Sequence, residues 1–121
     1  MPQALIVDDS KAMRMILSRN LTEMGYAVSA AADGAEALAL LNREFALILV
    51  DWNMPHMNGL ELLQRVRADA QYAPVKIVMV TTETEIDQMV KAIAAGADEY
   101  VMKPFTREIL KDKLRVLGLI P

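Results

Sequence analysis

The stretch ALIVDD, residues 4–9, places two carboxylates directly after four apolar residues. The stretch FALILVD, residues 45–51, repeats this arrangement and ends on one carboxylate, Asp51. Short apolar runs that are followed by helical patterns are typical of buried parallel strands. Because the carboxyl ends of parallel strands open on one edge of an α/β sheet, we expect Asp8, Asp9 and Asp51 to converge there.

A lysine and a hydroxyl group follow two other strand-like runs. Lys103 comes after YVM at residues 100–102, and Thr81 comes after IVMV at residues 77–80. Crowded carboxylates repel one another, and a hard divalent cation with oxygen ligands commonly relieves that repulsion. Acids that face a lysine and a hydroxyl group suit phosphate chemistry, so the sequence predicts a Mg²⁺ site at this edge.

Each of these residues also has an ordinary structural explanation. Asp9 or Ser10 can cap the first helix, because short polar side chains are common at that position. Asp51 can begin a turn, and Thr81 can donate a hydrogen bond to the backbone. Lys103 can be a surface lysine whose apolar stem lies along the protein. The individual residues therefore leave both interpretations open.

Composition favours one small domain with a well-buried core. The chain has 121 residues, is 54% hydrophobic, carries a net charge of −3 and contains no cysteine. These values predict a single domain over residues 1–121, with no disulfides, no thiolate chemistry and no general nucleic-acid surface. No apolar stretch reaches a membrane span, and the N-terminus lacks the pattern of a signal peptide. We therefore expect a cytoplasmic monomer that binds neither nucleic acid nor membrane.

The chain alternates between strand-like and helical patterns along its whole length. Strict alternation with short loops predicts right-handed crossovers and a parallel sheet with helices on both faces. The expected class is α/β, a flavodoxin-like doubly wound five-stranded sheet of order 2-1-3-4-5 with five helices; the crevice at its strand ends is a general property of such folds. The predicted strands lie near 4–8, 26–31, 46–51, 75–81 and 98–102, and the predicted helices near 10–24, 34–42, 58–69, 84–95 and 106–117.

Local signals place several boundaries. Gly25 is expected to end the first helix, whose apolar stripe includes Met15 and Ile16. Asp33 with Glu36, and Thr82 with Glu85, have the spacing of capping boxes for the second and fourth helices. The Lys103–Pro104 bond is a candidate cis peptide that would aim the lysine into the crevice.

In order and spacing, these motifs resemble the receiver domain of two-component response regulators. The similarity covers essentially the whole chain and is closest to the stand-alone chemotaxis regulators of the CheY type. It is carried by the motifs VDDS at 7–10, DWNMP at 51–55, NGLELL at 58–63, VTTE at 80–83, GADEY at 96–100 and KPFT at 103–106.

The resemblance implies that Asp51 accepts a phosphoryl group from a phosphohistidine of a sensor histidine kinase. It implies that Asp9 and Asp51 bind Mg²⁺ directly, with the main-chain carbonyl of Asn53 as a further ligand and Asp8 acting through water. It also implies that Lys103 contacts the phosphoryl group. These implied roles are consistent with the chemistry of phosphoryl transfer, which depends mainly on positioning the reacting groups and on neutralising their charge.

The resemblance further implies a switch and an output surface. Thr81 would close over the phosphoryl group, and Tyr100 would swing inward as Thr81 moves. The surface that changes would include Met89, Tyr100, Met102 and Lys113 and would dock an output protein such as the flagellar motor switch. The residues implied in tuning dephosphorylation, with or without a phosphatase as a further partner, are Asn53, Thr82 and Glu83. Thr82 departs from the pattern, since many chemotaxis regulators carry alanine there.

Three other functions are compatible with parts of the pattern. A phosphorelay intermediate would pass its phosphoryl group onward. A phosphohydrolase with an aspartyl-phosphate intermediate would usually carry a second acid near Asp51, where this chain has Asn53, and a cap domain. A flavodoxin-like cofactor carrier would need a Ser/Thr-rich phosphate loop after the first strand. We therefore expect a signalling protein that promotes only its own phosphorylation and dephosphorylation.

Overall fold

The computed structural model describes residues 1–54, 56–82 and 86–121, with the backbone alone at Thr82. A short 3₁₀ helix, Ala70–Tyr72, precedes the fourth strand. In these residues no helix has both the length and the apolar character needed to cross a membrane. The strands are β1 Gln3–Val7, β2 Ala27–Ala31, β3 Phe45–Asp51, β4 Lys76–Thr82 and β5 Glu99–Lys103, and the helices are α1 Lys11–Glu23, α2 Gly34–Leu40, α3 Gly59–Arg67, α4 Ile86–Ala94 and α5 Arg107–Val116.

The strands form one parallel sheet in the order β2-β1-β3-β4-β5. The predicted α/β class, strand order and alternation are therefore confirmed. The predicted boundaries differ from the observed ones by a few residues, mainly because the helices are shorter than their apolar patterns.

Two apolar clusters cover the two faces of the sheet. Because successive side chains of a strand point to opposite faces, β3 sends Leu47 and Leu49 to one cluster and Ile48 and Val50 to the other. The first cluster includes residues of α1 and α5, and the second includes residues of α2, α3 and α4. Continuous apolar runs are needed in the central strands because both of their faces are buried.

Polar side chains cap the helices where the chain leaves the carboxyl edge of the sheet. The Ser10 hydroxyl accepts a hydrogen bond from the N–H of Met13, and Asp33 Oδ1 accepts one from Glu36. Gly25 has a φ of 98°, a left-handed conformation that suits the end of α1. The side chain of Thr82 and all of Glu85 lie outside the described residues, so their predicted capping box stays a prediction.

Arg67 joins the amino ends of β4 and β5, at the edge opposite the acidic residues. Its Nε donates to the Gly96 carbonyl at 2.9 Å, and its Nη2 donates to the Val75 carbonyl and to Asp98 Oδ2 at 2.8 and 2.7 Å. The same Asp98 oxygen accepts the backbone N–H of Ile77 at 2.8 Å. One guanidinium group therefore satisfies acceptors from two separate segments, one before β4 and one before β5.

We expect Arg67→Ala to lower the free energy of unfolding by about 3 kcal/mol, because it removes the charged partner of the part-buried Asp98 carboxylate and the donor to several carbonyl groups. Urea unfolding would measure the change. Arg65→Ala, which removes an exposed arginine of the same helix, should change that free energy by less than about 0.5 kcal/mol. Equal effects of the two substitutions would contradict the role assigned to Arg67.

Candidate functional site

Strand register explains why the acidic residues meet. Val7 of β1 pairs with Val50 of β3, so Asp8 and Asp51 follow at the same level of the sheet. One carboxylate oxygen from each of Asp8, Asp9 and Asp51 can be chosen so that all lie within 4.8 Å of one another. The structure therefore brings the three predicted acids together at the carboxyl edge of the sheet.

Lys103 lies against this acidic cluster. Its Nζ is 3.5 Å from Asp8 Oδ2 and 3.5 Å from Asp51 Oδ1. Strand register helps to place Lys103 near Asp51. Lys103 pairs with Thr82 at the end of β4, and β4 lies beside β3, which ends at Asp51. The Lys103–Pro104 peptide is cis, in agreement with the sequence-based expectation. The lysine thus supplies one positive charge between two buried carboxylates.

Asp8 is held by three hydrogen bonds, none of which involves its Oδ2. Its N–H donates to the Ala31 carbonyl at 3.1 Å, and its Oδ1 accepts the N–H of Ser10 at 2.8 Å. Its carbonyl oxygen accepts Nη1 of Arg14 at 2.7 Å. Within the described part of the chain, Oδ2 is buried and has no hydrogen-bond partner, and the Lys103 ammonium lies 3.5 Å from it. A buried carboxylate oxygen without a donor is costly unless something else coordinates it.

Burial is the main influence on the pKa of Asp51. Removal from water raises the pKa of this carboxyl group above its ordinary value, and the nearby charges of Asp8 and Asp9 raise it further. The Lys103 ammonium and a backbone hydrogen bond at Asn53 act in the opposite direction and lower it. The raised pKa shows that this pocket makes the charged form of Asp51 costly, so a cation placed here would stabilise it.

Gly59 allows α3 to pack directly on the end of β3. A Cβ atom at Gly59 would lie 2.6 Å from the carbonyl oxygen of Asp51 and 2.9 Å from Cα of Trp52. The Gly59 N–H donates to the Trp52 carbonyl at 2.9 Å. This close approach holds the backbone of Asp51, so glycine is needed here for space.

Thr81 and Tyr100 point to the same face of the sheet. Thr81 pairs with Met102 and Met79 pairs with Tyr100, so all four side chains share one face by strand alternation. Thr81 is 1% exposed, and its Oγ1 has no hydrogen-bond partner among the described residues. A free buried hydroxyl group next to Asp51's strand is available to a ligand in the crevice.

The four predicted output residues differ in exposure. Met102 is 38% exposed, whereas Met89, Tyr100 and Lys113 are half-buried. The Lys113 ammonium lies 4.9 Å from the centroid of the Tyr100 ring and 3.5 Å from Glu99 Oε1. Lys113 and Tyr100 are therefore in contact, which agrees with a shared surface.

Sequence reasoning missed an exposed apolar stripe on α4. Ile86, Val90 and Ile93 are 63%, 64% and 47% exposed. Their spacing of four and three residues is the same as that of a helix face packed in a core. The sequence pattern alone therefore does not distinguish an exposed apolar face from a buried one. Arg14 was also missed, because nothing in the sequence separates it from Arg19, the other arginine of α1.

Of the remaining predicted residues, Asn53 is the one whose side chain the structure describes. Asn53 is exposed, two residues after Asp51. Glu83 and the side chain of Thr82 lie outside the described residues, so their predicted influence on dephosphorylation stays a prediction.

The donor set fits a small hard cation. It offers carboxylate oxygens that lie close together, one of them buried without a hydrogen-bond donor, and Asp9 is open to solvent. Mg²⁺ keeps several waters and takes one or two protein carboxylates, a requirement that a half-open site such as this one meets.

Comparison with known proteins gives matches over almost the whole chain. The model of the response regulator receiver domain matches residues 4–115. A chemotaxis protein CheY homolog of Campylobacter jejuni is 47% identical over 118 residues, covering 94% of this chain and 91% of the relative. The chemotaxis protein CheY of Pseudomonas aeruginosa is 44% identical over 112 residues, covering 91% and 90%.

Solved structures agree with the sequence matches. The structure of Vibrio cholerae chemotaxis protein CheY4 is 40% identical, with a TM-score of 0.87, and the match covers 100% of this chain and 99% of that one. The family model and these relatives show that this chain belongs to the response regulator receiver domain family and is similar to its CheY-type chemotaxis members.

Proposed function

We propose that this protein is a single-domain response regulator that accepts a phosphoryl group on Asp51 from a phosphohistidine of a sensor histidine kinase. The observation that carries the proposal is the convergence of three carboxylates with Lys103, whose Nζ lies 3.5 Å from both Asp8 and Asp51. Receiver domains are signalling modules, so we propose a regulatory role with no external substrate.

In the transfer, an oxygen of the Asp51 carboxylate attacks the phosphorus of the phosphohistidine. A P–O bond forms as the P–N bond breaks, which leaves an acyl phosphate on Asp51, and the histidine ring takes up a proton. Lys103 lies where its ammonium can neutralise charge on the phosphoryl oxygens. The Thr81 hydroxyl group can donate one hydrogen bond to the same group. Positioning and charge neutralisation are the main requirements of this reaction.

Mg²⁺ is the cofactor that we propose for this site. Asp9, Asp51 and the carbonyl of Asn53 would bind it directly, and Asp8 would act through water. When bound, the ion adds positive charge that stabilises the oxygens of the transferred group. The chain's own contribution is to hold the carboxylates together despite their repulsion.

The output that we propose is a change at the surface formed by α4, β5 and α5. A new hydrogen bond at Thr81 would draw Thr81 toward Asp51, which would free space for the half-buried Tyr100 ring on the same face of the sheet. Met102 and the apolar stripe of α4 would form the docking surface, since exposed methionines adapt to partner helices. By similarity to CheY-type chemotaxis proteins, we propose the flagellar motor switch as the partner, in the cytoplasm.

Treatment with acetyl phosphate and MgCl₂, followed by borohydride reduction and peptide mass spectrometry, tests the proposal. The modified residue should be Asp51. Phosphorylation at another residue, or none when Mg²⁺ is present, would refute it. Transfer of the label to a second histidine-containing protein would favour the phosphorelay alternative over direct output.

Thr81→Ala should separate phosphorylation from its output. The variant should still bind the phosphate mimic beryllofluoride at Asp51, because the lost hydroxyl group is not the acceptor. The change that the mimic causes in hydrogen exchange of β5 and α4 should be strongly reduced, because the link to Tyr100 is missing.

Thr22→Ala, which removes an exposed hydroxyl group of α1, is the matched control and should behave like the parent protein. A full response of β5 and α4 in Thr81→Ala would show that Thr81 has no part in the switch.

A further inference from the structure

Arg14 contacts the acidic cluster through the backbone. This half-buried residue of α1 directs Nη1 at the carbonyl oxygen of Asp8, at 2.7 Å. The guanidinium group is charged at every pH of interest, so the hydrogen bond is charge-assisted and among the stronger ones in proteins. The group that it binds is the peptide unit that joins Asp8 to Asp9.

That peptide unit sets the direction of both acidic side chains. A peptide group is planar and carries the Cα atoms of Asp8 and Asp9, so holding its carbonyl oxygen restrains the orientation of both residues. Asp8 has two further hydrogen bonds, because its Oδ1 accepts the N–H of Ser10 and its own N–H donates to the Ala31 carbonyl. Asp9 is exposed and forms no salt bridge within the described ranges, so its placement depends on the backbone.

Arg14 also brings a positive charge close to the acidic cluster. Asp8, Asp9 and Asp51 repel one another, and Lys103 approaches the side chains of Asp8 and Asp51. Arg14 brings a positive charge to the Asp8–Asp9 peptide from α1. A positive charge therefore lies beside the backbone of Asp9, for which no ion pair with Lys103 is found among the described residues.

We propose that Arg14 is a positioning residue for cation binding: by holding the Asp8–Asp9 peptide, it keeps the two carboxylates in the arrangement that Mg²⁺ requires. This inference rests on the Mg²⁺ site of the proposed function. Arg14 touches neither the ion nor the phosphoryl group, so its effect appears in affinity and in local backbone protection.

Arg14→Met tests the inference, because methionine keeps an unbranched apolar stem without the charge or the donors. Titration of Trp52 fluorescence with MgCl₂ should show a Kd raised about tenfold, the usual effect of losing a group that orients a metal ligand. Arg14→Lys keeps the charge and one possible donor and should recover part of the affinity. Arg19→Met removes an exposed arginine of the same helix and should leave the Kd unchanged.

A metal-free measurement separates local positioning from general stability. In EDTA, the amide of Ser10, which donates to Asp8 Oδ1, should exchange about tenfold faster in Arg14→Met, with little change at the amides of β3 and β4. A general loss of stability would instead speed exchange throughout the sheet. Urea unfolding of each variant would confirm that it is folded.

These measurements distinguish failure of the proposed Mg²⁺ site from failure of the role proposed for Arg14. A parent protein whose fluorescence does not respond to MgCl₂ would overturn the proposed Mg²⁺ site and this inference with it. A responding parent protein with an unchanged Kd in Arg14→Met would overturn only the role of Arg14. Equal increases in Kd for Arg14→Met and Arg19→Met would also overturn it, since the effect would then be one of net charge.

Discussion

Asp51→Asn is expected to abolish phosphoryl incorporation from acetyl phosphate and from a histidine kinase. The amide group of asparagine is a poor nucleophile, and the neighbouring Asp8 and Asp9 occupy other positions in the cluster. Mass spectrometry of the intact protein after incubation with acetyl phosphate would measure the loss. Asp33→Asn keeps a side chain that can cap α2, so it is a suitable control and should be phosphorylated normally. A stable phosphoryl adduct on Asp51→Asn would contradict the acceptor assignment.

The same substitution should stabilise the metal-free protein at neutral pH. Burial raises the pKa of Asp51 from its ordinary value of 3.8, so between that value and the raised pKa the folded state holds more protons than the unfolded state. The free energy of unfolding therefore falls as pH rises through this window. Asp51→Asn removes this dependence, so its stability advantage should be present at pH 7, should fade as pH falls through this window and should be absent below 3.8.

Urea unfolding in EDTA across this pH range would measure the difference between the two proteins. A variant that is less stable than the parent protein at neutral pH would show that Lys103 outweighs the cost of burying the Asp51 charge.

Asp9→Ala is expected to remove Mg²⁺ binding in the millimolar range. Asp9 is the exposed member of the acidic cluster, and a strongly hydrated ion needs its carboxylate in addition to the buried ones. Titration of Trp52 fluorescence with MgCl₂ would measure the loss, because Trp52 follows Asp51 directly and is 7% exposed.

Glu36→Ala is the matched control for Asp9→Ala, since it removes an exposed negative charge from α2. Its titration should resemble that of the parent protein. If Asp9→Ala gives the same titration as the parent protein, the ion binds elsewhere and the metal assignment is wrong.

Much of the fold could be predicted because the sequence repeats one strong signal. Runs such as residues 45–50 must be buried on both faces, and only a sheet covered by helices on both sides provides that environment. The acids at residues 8, 9 and 51 then meet because parallel strands share one carboxyl edge. The spacing of apolar residues in a helix was a weaker guide to which side chains are buried. Met15 and Ile16 belong to the apolar stripe of α1, yet they are 64% and 53% exposed.

The sequence by itself determined the α/β class, the strand order, and the choice of Asp8, Asp9, Asp51, Thr81 and Lys103 as site residues. These follow from local apolar patterns and from motif order along the chain. Only the tertiary structure decided which oxygen of Asp8 lacks a hydrogen-bond partner among the described residues, how Lys103 is shared between two acids, and that Arg14 and Arg67 have different roles. The physical reason is that hydrogen bonds and burial depend on three-dimensional neighbours, and residues of identical type acquire different partners only when distant segments pack together.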